Sequence, residues 1–250
     1  MNSKDDKLLI ASAQDKARQC ERNSILTHTG FLSLAEQAML ETEFPDGLFW
    51  GGYDDAERRI LVFLPEWLAE VPVSGEDCPL VVLRAGLPKG SPKLTHRDYL
   101  GSLLALGLER SVLGDILVRE DGADLLVLRE MAEFLRQNYA QAGRAVLQTE
   151  VVPLDQLRQA ESRVVSKRDT VASLRLDCVL ASMFSLSRGN AQDAVRQGLV
   201  VVNGRLAAKP DSLLEEGDKV SLRGKGKAVL KEVGGKSRKD RDCIVFERYL

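Results

Sequence analysis

In the N-terminal part of the chain, apolar residues first recur at helical spacing and then in short runs typical of strands. Residues 4–23 carry apolar side chains at helical spacing, which predicts an N-terminal helix. Ser33 with Glu36 three positions later forms a capping-box pattern and predicts the start of a second helix. Two apolar runs around a segment rich in Gly and Asp predict a β-hairpin over residues 48–64. We therefore expect an N-terminal α/β region over residues 1–74.

A second pattern begins after residue 74, where Pro and Gly residues mark a boundary. Apolar runs and helical periodicity then alternate in the order β-α-β-β-α-β, over residues 79–85, 95–106, 114–119, 123–128, 129–141 and 145–152. This order is that of the split βαβ, and it predicts an RRM-like domain over residues 75–165. RNA-reading members stack bases on exposed aromatic side chains, and these central strands contain none. The domain is therefore expected to act as a scaffold or protein-binding element.

The last third of the chain predicts a smaller α/β module. Residues 153–170 are polar and predict a linker, with a short strand at residues 163–165. Apolar residues at helical spacing then predict two short helices, the first opened by Arg175 and the second capped by Ser187. Asn203-Gly204 and later turn residues predict a small sheet after them. We expect this domain to cover residues 171–250, with a basic tail, and the whole chain to be of the α+β class.

Composition excludes several classes of protein. With 44% hydrophobic and 29% charged residues the chain is typical of a folded globular protein, and no apolar run is long enough to span a membrane. The charged N-terminus predicts neither a secretory signal nor a transit peptide. The four Cys residues lie far apart, so neither a zinc site nor any other cofactor is expected. These features predict a cytoplasmic protein.

The net charge of -2 conceals an uneven distribution. Residues 1–162 carry 17 Lys and Arg against 26 Asp and Glu, whereas residues 163–250 carry 18 against 11. Such an asymmetry indicates that only the C-terminal part meets a polyanion. Chance segregation of solvated charge would give the same totals, and the motifs of the basic part decide between the two interpretations.

The basic part carries a candidate RNA-binding site at its two predicted helices. The start of the second helix presents free backbone N–H groups, and Ser187 and Arg188 stand there in position for a phosphate oxygen. The guanidinium of Arg175, at the start of the first helix, can join them because its planar fork grips phosphate. Arg188, Gln192 and Arg196 share one face of the second helix, and Arg223, Lys225 and Lys227 downstream extend the positive field as further predicted RNA-binding residues.

These motifs carry two family resemblances. The combination RLD, SR, GLVVVNG and GDKVSLRGKG resembles the S4-type (alpha-L) RNA-binding domain. This resemblance implies that the RNA-binding residues include Arg175, Ser187, Arg188, Gln192 and Arg196. Nearly the whole chain, through FWGGYDDAERRILVFLP, LTHRDYLGSLLALGLERSVLGDILV and SLRGKGKAVL, is similar to the YlmH family. The resemblance implies a central RRM-like domain, a C-terminal S4-type domain and binding of rRNA and tRNA on the large ribosomal subunit. It also implies a role in translation or ribosome-associated quality control, and for plant relatives a place in the plastid stroma.

The triplet His96-Arg97-Asp98 is the motif that invites an enzymatic interpretation. The kinase catalytic loop contains the same triplet, but no Gly-rich loop, strand lysine or Asp-Phe-Gly accompanies it here. Asp98 stands two positions from His96, and residues so spaced do not face each other on a helix. We therefore expect a structural or binding role for the triplet, with no catalytic residue and no metal ligand.

The leading hypothesis is a monomeric, non-enzymatic RNA-binding protein of the large ribosomal subunit. Two alternatives stay open at this point. One is an RNA-modifying enzyme of the pseudouridine synthase type that uses the S4-type domain for targeting. The other is a regulator linked to cell division or to photosystems, whose RNA binding is incidental.

Overall fold

The computed structural model describes residues 3–158 and 164–249, and the chain forms two compact units, Met1–Ala160 and Glu161–Leu250. Helices and antiparallel sheets occur in both units, so the predicted α+β class is confirmed. Among the described residues, no helix combines the length and apolar character needed to cross a membrane. The predicted boundary near residue 74 falls inside the first unit and stays a prediction.

The first unit begins with two helices and a small sheet. Its elements are α1 (Ser3–Asn23), β1 (Thr27–His28), α2 (Leu34–Glu43), β2 (Leu48–Trp50) and β3 (Ile60–Phe63), with the sheet order β1-β3-β2. The predicted capping box is present at the start of α2. The Ser33 hydroxyl accepts a hydrogen bond from the Glu36 backbone N–H, and the Glu36 carboxylate accepts one from the Ser33 N–H at 2.6 Å.

The split βαβ arrangement follows in the same unit. Its elements are β4 (Leu80–Gly86), α3 (His96–Ala105), β5 (Leu113–Arg119), β6 (Gly122–Leu128), α4 (Ala132–Asn138), β7 (Gln141–Ala142), β8 (Ala145–Val146) and β9 (Gln148–Val152). The antiparallel order β5-β6-β4-β9 confirms the predicted RRM-like topology. The predicted last strand is divided: β8 pairs with β7 in a separate hairpin, and only β9 joins the sheet.

Both faces of this four-stranded sheet are covered. On one face the helices α3 and α4 bury a cluster that includes Val81, Leu83, Tyr99, Leu103, Leu125, Leu135 and Tyr139. On the other face the strands pack against the N-terminal sheet and its neighbours, in a cluster that includes Phe31, Ile60, Val62, Leu80, Val82, Leu126, Leu128 and Leu154. The central strands therefore offer no open platform for stacking RNA bases, in agreement with their lack of aromatic residues.

The second unit places two helices on a six-stranded sheet. Its elements are β10 (Val164–Val171), α5 (Leu176–Phe184), α6 (Arg188–Arg196), β11 (Val200–Val202), β12 (Arg205–Leu206), β13 (Lys219–Leu222), β14 (Gly226–Lys236) and β15 (Asp242–Tyr249). The strand order is β10-β15-β14-β13-β11-β12. The helices and the sheet share one core that includes Leu176, Val179, Leu180, Phe184, Val195, Val220, Leu230 and Phe246.

The segment expected as a basic tail is instead part of this sheet. Strands β14 and β15 form a long antiparallel hairpin with two register shifts, and β15 also pairs with β10 along its whole length. Alternate side chains such as Ile244 and Phe246 are buried, so the period of two in CIVFERY marks a strand. The predicted linker strand is also longer than expected: residues 164–171 form β10, while residue 163 lies outside the described residues.

Candidate nucleic-acid interface

Three of the predicted RNA-binding side chains converge on one buried carboxylate, that of Asp177 in the first turn of α5. Arg175 donates from Nε to Oδ1 at 3.2 Å and from Nη2 to Oδ2 at 3.3 Å. From α6, Arg188 donates from Nε to Oδ2 at 3.0 Å, and Gln192 donates from Nε2 to the same oxygen at 2.7 Å. Asp177 itself is 0% exposed. We call these four residues the Asp177 cluster.

Local backbone geometry brings the two helices into this contact. Ser185 ends α5 in the left-handed region at φ 54°, which turns the chain sharply before α6. Ser187 then caps α6, and its hydroxyl oxygen accepts a hydrogen bond from the Asn190 N–H at 3.1 Å. The start of α5 is held from the other side, where the Leu176 N–H donates to the Ser212 carbonyl at 2.7 Å. Ser187 therefore orients the helix that carries Arg188.

Electrostatics keep Asp177 ionised. Burial alone raises the pKa of its carboxyl, but hydrogen bonds from Gln192, Arg175 and Arg188 outweigh burial and hold the pKa well below its usual range. The Arg175 and Arg188 side chains remain 36% and 53% exposed. Arg188 uses only Nε toward Asp177, so its two terminal nitrogens stay available for an anion outside the helix pair. The cluster thus holds two guanidinium groups in fixed positions at the surface.

Arg196 lies apart from the Asp177 cluster. Its guanidinium donates to Asp193 one turn earlier on α6 at 3.2 Å, and both side chains are more than half exposed. An exposed pair of this kind contributes little to stability and leaves the arginine free to exchange partners. Arg196 therefore extends the positive field of α6 without belonging to the fixed group.

Of the remaining predicted residues, Arg223 and Lys225 lie in the turn between β13 and β14, and Lys227 lies at the start of β14. The ammonium group of Lys227 lies 5.2 Å from the centre of the Tyr249 ring in a cation–π contact. Arg248 on β15 donates to the Lys225 carbonyl at 3.3 Å. These residues form a second basic surface whose position depends on the β14–β15 hairpin.

Sequence reasoning missed two residues that organise these surfaces. Asp177 stands between Leu176 and the apolar residues of α5, and a charged residue that interrupts a buried helix face was the available signal. Arg248 places its guanidinium 5.5 Å from the Phe184 ring and so connects β15 to the end of α5. No local pattern indicates this contact, because it depends on the pairing of β15 within the sheet.

The His96-Arg97-Asp98 triplet forms the first turn of α3. The Asp98 carboxylate accepts hydrogen bonds from the backbone N–H and the hydroxyl of Thr95, both at 2.7 Å, and these bonds lower the pKa of Asp98. The carboxylate therefore closes the helix end and does not orient the imidazole of His96. His96 and Arg97 are both exposed.

A cleft of about 430 Å³ in the first unit contains the other histidine together with a cysteine. The Cys78 thiol donates to the Leu80 carbonyl at 2.9 Å, and the ring nitrogen Nδ1 of His28 lies 2.8 Å from the Thr29 carbonyl. Each of these two side chains thus contacts a backbone carbonyl. Across the described part of the chain, no group of three or more His, Cys, Asp or Glu side chains could hold a metal ion.

Comparisons with known proteins agree with this architecture. The family described as "Putative RNA-binding domain in YlmH" matches residues 74–156, and the family described as "S4 domain" matches residues 174–220. The chain is 34% identical over 249 residues to "Ribosome-associated protein quality control protein P2" of Bacillus subtilis, which covers 98% of this chain and 96% of that protein.

The chain belongs to the YlmH family. Among solved structures, "Cell division protein ylmH from Streptococcus pneumoniae" is similar with a TM-score of 0.47 at 18% identity, covering 62% of this chain and 95% of that one. The YlmH assignment confirms the resemblance that the sequence motifs carry. The S4 match includes the Asp177 cluster and ends before Arg223, so the β14–β15 hairpin lies beyond it.

Proposed function

We propose that this protein binds RNA of the large ribosomal subunit through the Asp177 cluster and acts by binding rather than by catalysis. The observation that carries the proposal is the pair of surface guanidinium groups anchored on one buried carboxylate. The name of the Bacillus subtilis relative supports a ribosomal setting, in translation or ribosome-associated quality control. In this proposal the protein is a cytoplasmic monomer that contacts rRNA and tRNA.

The chemistry of the Asp177 cluster suits a phosphate backbone. A guanidinium donates several parallel N–H groups that match the oxygens of one phosphate, and Asp177 sets the position of two such groups before RNA arrives. Because A-form RNA hides its base edges in a deep groove, contacts of this kind read the shape of the backbone. Arg196 and the turn at Arg223, Lys225 and Lys227 extend the positive field around this fixed pair.

The buried aspartates support binding over catalysis. Asp177 accepts hydrogen bonds from Arg175, Arg188 and Gln192, and in the first unit Asp124 accepts from Arg84 at 3.1 Å. Both carboxylates are 0% exposed and serve as counterions for arginine. An RNA-modifying enzyme of the pseudouridine synthase type needs an aspartate that reaches the base, and neither carboxylate is placed for that task.

Sedimentation of cell extract on a sucrose gradient tests the proposal. The wild-type protein is expected in the large-subunit fractions, and Arg188→Gln is expected to shift toward the top of the gradient because one fixed phosphate contact is lost. In vitro, the same variant should lower the log–log salt slope of RNA binding by about 0.7 to 0.9. Gln retains an amide donor that can still reach Asp177, which limits the effect on folding.

The matched control is Arg18→Gln in the first unit, which also removes one exposed arginine paired with a carboxylate, that of Asp15. This control should sediment like the wild type. The proposal is contradicted if the wild-type protein is absent from the large-subunit fractions. It is also contradicted if Arg188→Gln matches the control both in sedimentation and in the salt slope of RNA binding.

A further inference from the structure

The RRM-like domain matches a family described as RNA-binding, yet its sheet has no open face. The sheet face that an RRM would use, opposite α3 and α4, is packed against the N-terminal elements at its central strands. Arg84, the one cation on the strand β4, is itself buried and donates to Asp124 from two nitrogens at 3.1 Å. An RNA contact of this unit must therefore lie away from the sheet.

The connection between β4 and α3 is the place where exposed cations collect. Residues 87–97 contain Lys89, Lys93, His96 and Arg97 and no acidic residue, although residues 1–162 as a whole carry 17 Lys and Arg against 26 Asp and Glu. All four side chains are exposed. The three cations Lys89, Lys93 and Arg97, with no carboxylate among residues 87–97, make this edge locally positive in an otherwise acidic unit.

A fourth cation comes from a distant part of the chain. Gly143, at the turn of the β7–β8 hairpin, lies so close to the start of α3 that a methyl group on it would be 3.6 Å from Leu94 Cδ2 and 3.8 Å from Asp98 Cβ. The hairpin thus rests against the beginning of α3. Arg144, the next residue, is exposed and adds its charge to the same edge.

The acidic residues near this edge offset only part of its charge. The Asp98 carboxylate accepts hydrogen bonds from Thr95, stays ionised and acts electrostatically on Arg97 beside it. Glu120 lies 3.7 Å from Lys93, but both side chains are almost fully exposed, at 94% and 87%, so this pair is weak and readily exchanged. Lys89, Arg97 and Arg144 form no ion pair with any carboxylate in the described ranges 3–158 and 164–249. These three cations are therefore available to an external anion.

We propose that Lys89, Lys93, His96, Arg97 and Arg144 form a second RNA-binding surface, here called the cationic edge, which contacts phosphates of the RNA backbone. The inference rests on the proposed function, because it adds a contact to an RNA already held by the Asp177 cluster. The observations favour RNA over an acidic protein. Residues 87–97 expose no large apolar side chain and the β7–β8 hairpin exposes one, Val146, whereas protein interfaces are centred on clusters of such residues. Phosphates, in contrast, need only exposed cations.

Fluorescence anisotropy of a labelled RNA hairpin, titrated with full-length protein at increasing NaCl, tests the cationic edge. The variant Lys93→Gln/Arg97→Gln/Arg144→Gln should lower the log–log salt slope by about 2 units, because three phosphate contacts at about 0.7 each are lost. All three positions are exposed, so the unfolding midpoint should stay unchanged. The matched control Lys4→Gln/Lys7→Gln/Arg22→Gln removes the same charge from exposed positions on α1 and should leave the slope unchanged.

The outcomes separate this inference from the function on which it rests. If the wild type fails to bind the hairpin, or Arg188→Gln leaves binding unchanged, the proposed function fails. If Arg188→Gln lowers the slope while the edge variant matches the α1 control, only the cationic edge is refuted. An edge variant that binds RNA like the wild type but loses binding to a polyglutamate peptide would replace RNA with an acidic protein as the partner. If the edge variant and the α1 control lower the salt slope equally, net charge alone explains the effect, and the inference is also refuted.

Discussion

The substitution Asp177→Asn removes the charge that anchors the Asp177 cluster while keeping its shape. Four hydrogen bonds reach the carboxylate, three of them from the guanidinium groups of Arg175 and Arg188. Asn keeps one acceptor oxygen but loses both ion pairs. Because the two arginine side chains remain 36% and 53% exposed, they regain water on release, and we expect a loss of about 2 to 3 kcal/mol in the free energy of unfolding. A protein of ordinary stability stays folded after this loss.

The same substitution acts on RNA affinity in two opposite directions. Freeing two arginine side chains means that RNA must order them, at about 1 kcal/mol each, which weakens binding by about 2 kcal/mol. Because Asp177 is buried while the phosphate stands in solvent, an effective dielectric constant of about 40 lies between the limits for water and for a protein surface; removing one negative charge about 6 Å from the phosphate then strengthens binding by about 1.4 kcal/mol. The net expectation is a loss of about 0.6 kcal/mol, or about a threefold rise in Kd. Both cations remain, so the salt slope should not change.

Fluorescence anisotropy with an RNA hairpin measures both quantities, at a temperature where denaturation curves show each variant folded. The control is Asp193→Asn, which removes one carboxylate from α6, pairs only with the exposed Arg196 and leaves the Asp177 cluster intact. Its unfolding free energy should stay within about 0.5 kcal/mol of the wild type, and its Kd should be unchanged or slightly lower. If folded Asp177→Asn binds RNA as tightly as this control, the arginines act through charge alone and the positioning role of Asp177 is refuted.

Two further predictions concern stability. The pKa values of Asp177 and Asp124 are held below normal in the folded chain. The stability that these carboxylates contribute is therefore complete above the unfolded pKa of about 4 and is lost as the pH falls toward the folded pKa values. Urea denaturation from pH 6 downward should show a steeper loss of stability in the wild type than in Asp177→Asn, and parallel curves would be evidence against this linkage. Phe246→Ala should destabilise the second unit by about 3 to 5 kcal/mol, because its ring is 1% exposed in the core shared by β15 and the helices, whereas Val164→Ala on the exposed part of β10 should cost less than about 1 kcal/mol by the same measurement.

The parts of the fold that sequence predicts are those with local signals. The order β-α-β-β-α-β follows from apolar periodicity and turn residues, and the capping box at Ser33 and Glu36 is read directly from their spacing. The β14–β15 hairpin is different. Its residues are rich in Lys, Arg and Gly, and its strands are stabilised by pairing with β10 and β13, up to about 80 positions away in sequence. A pattern of that composition, taken alone, resembles a solvated tail.

The candidate site likewise has features that local sequence signals predict and one that they do not. Sequence spacing places Arg188 and Gln192 on one face of α6 and Arg175 at the start of α5, and all three do meet. It gives no indication that a carboxylate lies between them, because the burial of Asp177 results from the packing of two helices and the 210–212 loop. The residues predicted as a phosphate-binding face are therefore also an internal ion-pair network, and their strength as ligands depends on Asp177.

The charge distribution makes the two proposed RNA contacts unequal. Residues 163–250 carry 18 Lys and Arg against 11 Asp and Glu, so the overall field of the basic unit attracts RNA and contributes mainly to affinity. Residues 1–162 carry 17 Lys and Arg against 26 Asp and Glu, so the net charge of the acidic unit repels RNA, and the proposed attraction is confined to the cationic edge. A single attractive region on a repulsive surface restricts the orientations in which RNA can bind. If both contacts form, the Asp177 cluster supplies most of the affinity, and the cationic edge determines which way the first unit faces on the RNA.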